Sequence, residues 1–263
     1  MSRIKSKFKE LARQNKKALV TFITAGDPDL STTEKLVYEM QKAGADLVEL
    51  GVPFSDPMAD GPVIQRSSER ALQAGATLSK ILKLVSKIRR KSEVPLILMG
   101  YYNPILNYGV DRFCTDAAKA GVDGLIVVDL PPEEAAELER PARAKHLDFI
   151  YLLTPTADRE RIKKVKKRAS GFIYYVSVTG ITGAQLQSLN EIKSHVKKIK
   201  SQISLPLCIG FGIRSPEDAK HLSSVAEGIV VGSVLVAELE KGGKKKGPPL
   251  LTRKVAILKR AVL

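Results

Sequence analysis

Two acidic residues in unlike surroundings are the groups of this sequence best suited to chemistry. Glu49 lies inside the apolar run Leu47-Val48-Glu49-Leu50-Gly51, and Asp60 inside the turn-rich stretch Pro57-Met58-Ala59-Asp60-Gly61-Pro62. A carboxyl at the mouth of a strand and a second on a loop can close on one substrate from two sides, as an acid/base pair whose members titrate apart. Apolar neighbours desolvate Glu49, which raises a carboxyl pKa and makes a proton donor near neutrality. A plainer part suits the same residues: Asp and Pro are ordinary turn formers, so residues 53–62 also read as a loop capped by its own aspartates, and Glu49 as a buried acid in a structural hydrogen bond.

A second set is rich in glycine. Thr179-Gly180-Ile181-Thr182-Gly183, Gly210-Phe211-Gly212-Ile213 and Val231-Gly232-Ser233 each follow an apolar run. Glycines there let backbone N–H groups approach an anion, and a helix starting near Ser233 would add its dipole. Each motif alone is a turn; as a set they describe a phosphate cradle. A third set, Phe22, Met99, Tyr101, Ile126, Leu152 and Tyr174, is apolar or aromatic and falls on predicted strands. Ile126 and Leu152 serve equally well as plain core, whereas the hydroxyls of Tyr101 and Tyr174 need partners once buried. The site so outlined takes a flat apolar group at one end and a phosphate at the other, with two carboxylates between. His146, His195 and His221 fall in or beside predicted outer helices without a Ser or Cys partner, and Cys114 and Cys208 lack metal-ligand spacing. Nucleophilic triads and metal sites are therefore disfavoured.

The elements that must position these groups alternate regularly. Eight β-rich apolar runs occur at Ala18–Thr24, Asp46–Val52, Pro95–Tyr101, Gly124–Asp129, Phe149–Thr154, Gly171–Val178, Leu205–Phe211 and Gly228–Gly232. Stretches of helical period lie between them at Ser31–Ala43, Leu78–Arg90, Val110–Ala120, Pro132–Ala144, Asp158–Lys167, Leu186–Gln202 and Ser215–Val225, with a last one near Thr252–Val262. Eight such units with nearly all-apolar strands predict an α/β fold, a closed (β/α)8 or TIM barrel, rather than an open sheet. No Gly-x-Gly-x-x-Gly follows the first strand; Thr24-Ala25-Gly26-Asp27-Pro28 turns sharply instead, which argues against a dinucleotide site. An extra N-terminal helix, Ile4–Gln14, would plug the bottom of the barrel. In such a barrel the C-terminal strand ends bear function, and that rule brings Glu49, Asp60, Tyr101, Asn103, Asp129, Tyr174, Thr182, Gly183, Gly212 and Ser233 to one mouth.

Composition sets the outer bounds. With 263 residues, 44% hydrophobic and 27% charged, the chain suits one barrel domain over 1–263, interrupted by a flexible basic segment at 241–249. No apolar run approaches the roughly 20 residues that span a bilayer, and the basic start Met1–Lys17 lacks the apolar core of a signal peptide, so a cytoplasmic protein is expected. The net charge of +15 invites a nucleic-acid reading. The lysines are instead spread over helical stretches, where a solvated face is the ordinary explanation, and no nucleic-acid-binding motif accompanies them.

The motifs resemble those of the tryptophan synthase alpha subunits. The stretches that carry the likeness are Phe22-Ile23-Thr24-Ala25-Gly26-Asp27-Pro28, Glu49-Leu50-Gly51-Val52-Pro53-Phe54-Ser55-Asp56-Pro57 with Ala59-Asp60-Gly61-Pro62, Tyr101-Tyr102-Asn103-Pro104, Asp129-Leu130-Pro131, and the two glycine motifs at 179–183 and 210–213. The resemblance implies an aldol-type lyase that splits indole-3-glycerol phosphate into indole and glyceraldehyde 3-phosphate. It implies Glu49 as the acid/base and Asp60 as the partner of the indole N–H. Phe22, Met99, Tyr101, Ile126 and Tyr174 match indole-pocket or substrate positions. Phe211 joins the substrate contacts, and Gly183, Gly212, Gly232 and Ser233 are the phosphate positions. Thr182 on the sixth loop would close over Asp60. No cofactor is implied in this chain; pyridoxal phosphate belongs to the expected partner, a β subunit in an α2β2 assembly, near whose contact Asp56, Asn103 and Asp129 would lie. The basic 241–249 stretch and the last helix Arg253–Arg260 match nothing in the family pattern. Two other function classes remain on the sequence alone: a subunit that binds and activates its partner without turnover, and a basic nucleic-acid binder.

Overall fold

The computed structural model describes residues 2–176, 189–210 and 212–262. In chain order the first half comprises α1 (Arg3–Arg13), β1 (Ala18–Thr24), α2 (Leu30–Lys42), β2 (Leu47–Gly51), α3 (Pro62–Gln73), α4 (Leu78–Arg89), β3 (Leu96–Gly100), α5 (Tyr102–Tyr108), α6 (Val110–Ala120) and β4 (Gly124–Val127). The second half comprises α7 (Ala136–Ala144), β5 (Asp148–Phe149), β6 (Tyr151–Leu153), α8 (Arg159–Arg168), β7 (Ile173–Val176), α9 (Leu189–Lys200), β8 (Leu207–Gly210), α10 (Pro216–Ser223), β9 (Gly228–Val231) and α11 (Ser233–Ala261).

All strand pairs are parallel, in the order β5-β4-β3-β2-β1-β9-β8-β7-β6. Ile150 alone separates β5 from β6, so these two are one stave, the fifth predicted strand, and the ring closes through it. Its N–H donates to the Leu125 carbonyl at 3.0 Å, while β6 pairs onward with β7. The predicted eight-stave barrel is thus present.

Strand alternation divides the apolar residues into two cores. Val48 and Leu50 of β2 face outward into the large core shared with the helices, whereas Leu47 joins Ala18, Val20, Ile97, Ile126, Tyr174, Cys208 and Val230 in the lumen. Glu49, two residues on from Leu47, shares the lumen side by the same period. From below, Ile4, Phe8 and Leu11 of α1 fill the lumen, Phe8 against Phe172 with ring centroids 5.7 Å apart. The predicted plug helix is therefore in place, and it leaves only the upper end open.

Three differences from the sequence reading concern helices. α3 escaped the apolar period because its buried face is built of Ser67, Ser68 and Ala71 rather than large side chains. α5 is only seven residues long and contains Asn-Pro. Residues 241–249, expected as a flexible interruption, are helical on both sides of Gly243, where φ is 57°. The glycines that suggested flexibility serve close approach: a Cβ on Gly242 would overlap the Gly247 backbone, and one on Gly247 would meet the Leu239 carbonyl at 2.5 Å. Lys244 closes the bend by pairing with Asp29 at 2.8 Å. Among the described residues no helix is long and apolar enough to cross a membrane.

Candidate active site

Glu49 sits opposite Phe22 of β1 and Ile97 of β3 in the sheet register, and its side chain is 0% exposed. Among the described residues neither carboxyl oxygen has a hydrogen-bond partner. Burial, with nothing to oppose it, pushes the group up to about 8. Glu49 therefore holds a proton at neutral pH. Tyr174 and Cys208 stand within electrostatic reach; burial first, then the charge of Glu49, lifts both well above their ordinary values.

Asp60 belongs to a short structured turn between β2 and α3. Its N–H donates to the Pro57 carbonyl at 3.0 Å, and its own carbonyl accepts from Gln65 Nε2 at 2.8 Å. Tyr101, at the end of β3, reaches up to this turn: its hydroxyl accepts from the Ala59 N–H at 2.9 Å and bonds the Asp60 carboxylate. Phe54 lies over the Tyr101 ring at 5.2 Å. Burial raises Asp60 to about 6, and the Tyr101 hydroxyl pulls it back toward ionisation. At pH 7 the two acids thus stand in opposite states, Glu49 neutral and Asp60 charged.

Around them the mouth is apolar on one flank and glycine-rich on the other. Phe22, Met99 and Leu152 are half-buried, Ile126 and Tyr174 buried, all on lumen positions. Phe22 is held between Gly51 and Gly232; a Cβ on Gly51 would come within 2.5 Å of the ring. Gly210 plays the same part for Tyr174, whose hydroxyl a Cβ there would overlap. Isolated glycines inside apolar strands are the signal for such close approach, and Gly51 carried it without being singled out in the sequence reading. Gly212 adopts φ 79°, and Gly232 caps the start of α11, so backbone N–H groups and the helix dipole face the mouth beside Ser233. A cavity of about 460 Å³ opens next to these residues, with Asp129, Leu152, Thr154 and Arg161 in its wall. Neither acid lines it. Asp129 accepts from the Tyr102 N–H at 2.8 Å and thereby fixes the start of α5, where Asn103 is exposed.

Residues 8–260 match the family model described as Tryptophan synthase alpha chain. The chain belongs to that family. The tryptophan synthase alpha chain of Geotalea uraniireducens is 61% identical over 241 residues, covering 92% of this chain and 90% of the relative. That of Geotalea daltonii is 57% identical over 262 residues, covering 100% and 99%. The crystal structure of tryptophan synthase subunit alpha from Legionella pneumophila superposes with a TM-score of 0.93 at 40% identity, covering 100% of this chain and 98% of that one.

Of the positions expected from the likeness to tryptophan synthase alpha chains, Phe22, Glu49, Asp60, Met99, Tyr101, Ile126, Tyr174, Gly212, Gly232 and Ser233 lie at or below this one mouth. Thr182, Gly183 and Phe211 lie outside the described residues. Sequence reasoning passed over Gln65, which holds the Asp60 carbonyl, and over Ser67 and Arg70, which tie α3 to Thr24 and Asp27. Their signal was the Pro62 that opens a helix just after Asp60-Gly61.

Proposed function

We propose that this chain cleaves indole-3-glycerol phosphate to indole and glyceraldehyde 3-phosphate, as the alpha subunit of tryptophan synthase. The observation that carries the reading is Glu49: a fully buried acid, with both oxygens unpartnered among the described residues and its proton retained at neutral pH. A structural acid in that position would have acquired a donor. A carboxyl left bare is complementary to a group that is not there between turnovers.

The bond between indole C3 and the first glycerol carbon breaks when C3 is protonated and the adjacent hydroxyl gives up its proton. Glu49 donates its proton to C3, which leaves a carboxylate and a positive charge spread toward the ring nitrogen. Asp60, ionised above about 6, accepts the indole N–H and stabilises that charge. The Glu49 carboxylate then takes the hydroxyl proton as the carbonyl forms and the C–C bond parts. Indole leaves with C3 bearing the donated proton, and Glu49 ends protonated as it began, so the proton count balances without a cofactor.

Phe22, Met99, Tyr101, Ile126 and Tyr174 form the apolar bed for the ring. Gly212, Gly232 and Ser233 hold the phosphate end; outside the described residues, the family likeness assigns Gly183 to the phosphate as well, Phe211 to the substrate and Thr182 to closure over Asp60. Met58, 75% exposed in the Asp60 turn, and Leu106, 49% exposed on α5, are large apolar side chains near this mouth. They suit a partner surface, and the partner proposed is the β subunit that consumes indole. Asp56, Asn103 and Asp129 rim the same face.

The test is indole release from indole-3-glycerol phosphate by the purified chain, alone and with a β subunit. Slow release alone and faster release with the partner is the expected result. Substrate binding with stimulation of the partner but no cleavage would replace the lyase reading by that of an activating subunit.

A further inference from the structure

Helix α3 follows directly from the turn that carries Asp60, and two arginines on its flank tie it to acids in two other parts of the barrel. Arg70 clasps both oxygens of Asp27, Nε to Oδ1 at 2.8 Å and Nη2 to Oδ2 at 2.7 Å, and sends Nη1 to Glu240 Oε1 at 2.8 Å. Glu240 receives Arg66 as well, through Nε and Nη2, each at 2.8 Å. Asp27, 2% exposed, lies in the turn after β1, whereas Glu240 lies in the first arm of α11, about two turns from Gly232 and Ser233. The neighbouring, buried face of α3 is fixed to β1, where Thr24 and Ser67 share a buried hydroxyl hydrogen bond of 2.6 Å. None of these charges has a part in the proton transfers above.

We propose that Glu240, by bridging Arg66 and Arg70, is a positioning residue that couples the phosphate end of α11 to the pose of Asp60. The inference rests on the lyase reading, in which the start of α11 holds the phosphate and Asp60 holds the indole nitrogen. The mechanical path is short. Arg66 follows Gln65, whose side chain holds the Asp60 carbonyl, and Ile64 and Gln65 both donate from their backbone to the Gly61 carbonyl at 3.0 Å. A phosphate seated at Gly232 and Ser233 loads the first arm of α11, which is continuous helix as far as the break at Gly243. Glu240 hands that load to two successive turns of α3 at once. A carboxylate accepting from two guanidinium groups is a strong and directional link. Arg66, followed by Arg70, holds Glu240 down at about 2, so the link is charged at every pH at which the enzyme works.

Glu240→Gln in the full-length chain tests this. The amide keeps the shape but loses the charge, and it leaves the Arg70–Asp27 clasp standing. The expected result is a fall of about tenfold in kcat for indole release with KM changed less than about threefold, since misplacement of a reacting group acts on the chemical step. The acid limb of kcat/KM should also move below pH 6, because a looser turn lets water reach Asp60; Tyr101 is the titratable side chain bonded to it. Arg70→Lys, which cannot fork between Asp27 and Glu240, should shift kcat and the limb in the same direction. Unchanged kcat per folded molecule and an unmoved limb, whatever the melting temperature does, would overturn the proposal. Should the unmodified protein release no indole, the lyase reading itself fails. The Asp60 carboxyl titration, followed by carbon NMR in both proteins, then decides the coupling: a lower midpoint in Glu240→Gln supports it and equal midpoints overturn it.

Discussion

Glu49 and Asp123 are both buried carboxyls of the barrel, 0% and 5% exposed, yet the fold treats them oppositely. Asp123 stands just before β4 at the plugged end and accepts from Arg3 Nη1 at 3.1 Å, Arg89 Nη2 at 2.8 Å and the Leu96 N–H at 2.8 Å. Arg89 uses its other donors on the carbonyls of Gly121, Ser92 and Val94. Glu49, higher in the lumen, is given no donor among the described residues. Burial raises both acids; at Asp123 the Leu96 N–H and the two arginines pull back, while at Glu49 nothing does. Burial is thus common to structure and chemistry. What separates them is whether the buried group has been satisfied.

The largest effect that could break this comparison is at Glu49. Glu49→Gln keeps the shape and removes the proton donor, so indole release should fall about a thousandfold, near 4 kcal/mol of transition-state stabilisation, if the group works as a general acid and base. Its melting temperature should hold or rise, because no hydrogen bond is lost. The pH dependence has a definite sign. Between about 4.5 and about 8 the unfolded chain ionises this residue while the folded chain keeps the proton, so the wild-type protein loses stability as pH rises, by up to about 1.4 kcal/mol per unit, and levels off above 8. The Gln variant should lack that slope. Urea melts at several pH values, set beside the indole assay, decide the matter: turnover near wild type would place Glu49 with Asp123 among the structural acids.

Asp123 should fail in the complementary way. Asp123→Ala leaves Arg89, nearly enclosed, without its carboxylate and frees the Leu96 N–H, which should cost about 3–5 kcal/mol of stability. Indole release per folded molecule should stay at the wild-type level. A urea midpoint close to that of the parent protein would show that the lower network is dispensable, and the contrast with Glu49 would lose its structural half.

How much of this was legible beforehand follows from the kind of signal each part leaves. The staves were readable because a strand buried on both faces is a bare apolar run, and Glu49 stood out because such runs exclude charge. The break at Ile150 leaves no such mark, since one residue changing sheet partner does not alter the pattern. α3 was missed because its buried face sets Ala71 against Gly26 and Ser67 against Thr24, small residues that do not read as an apolar face. The bend near Gly243 was misread for a related reason: glycines needed for contact across a turn look like glycines of a linker. Asp123 and Arg89 were not noticed at all, because a long-range ion pair has no local period. The acid that mattered for chemistry was legible through its apolar neighbours, while the partners that mattered for stability lie 34 and 120 residues away in the chain.

Asp60 stands between the two extremes, and it offers the finest test of the comparison. It is raised by burial like Glu49, but one donor, the Tyr101 hydroxyl, opposes the rise and holds it near 6. Tyr101→Phe removes that donor and also leaves the Ala59 N–H without its acceptor. With the ionised form less favoured, the Asp60 midpoint should move up, so the acid limb of kcat/KM should shift to higher pH, opposite to the shift expected from Glu240→Gln. Loss of one such bond is worth about 1–2 kcal/mol, or roughly a tenfold loss of activity at neutral pH and less at pH 8, where the carboxyl is ionised in either protein. A pH–rate profile of the two proteins resolves this. An unmoved limb would mean that Tyr101 shapes the turn without tuning its acid, and that burial alone sets the charge of Asp60.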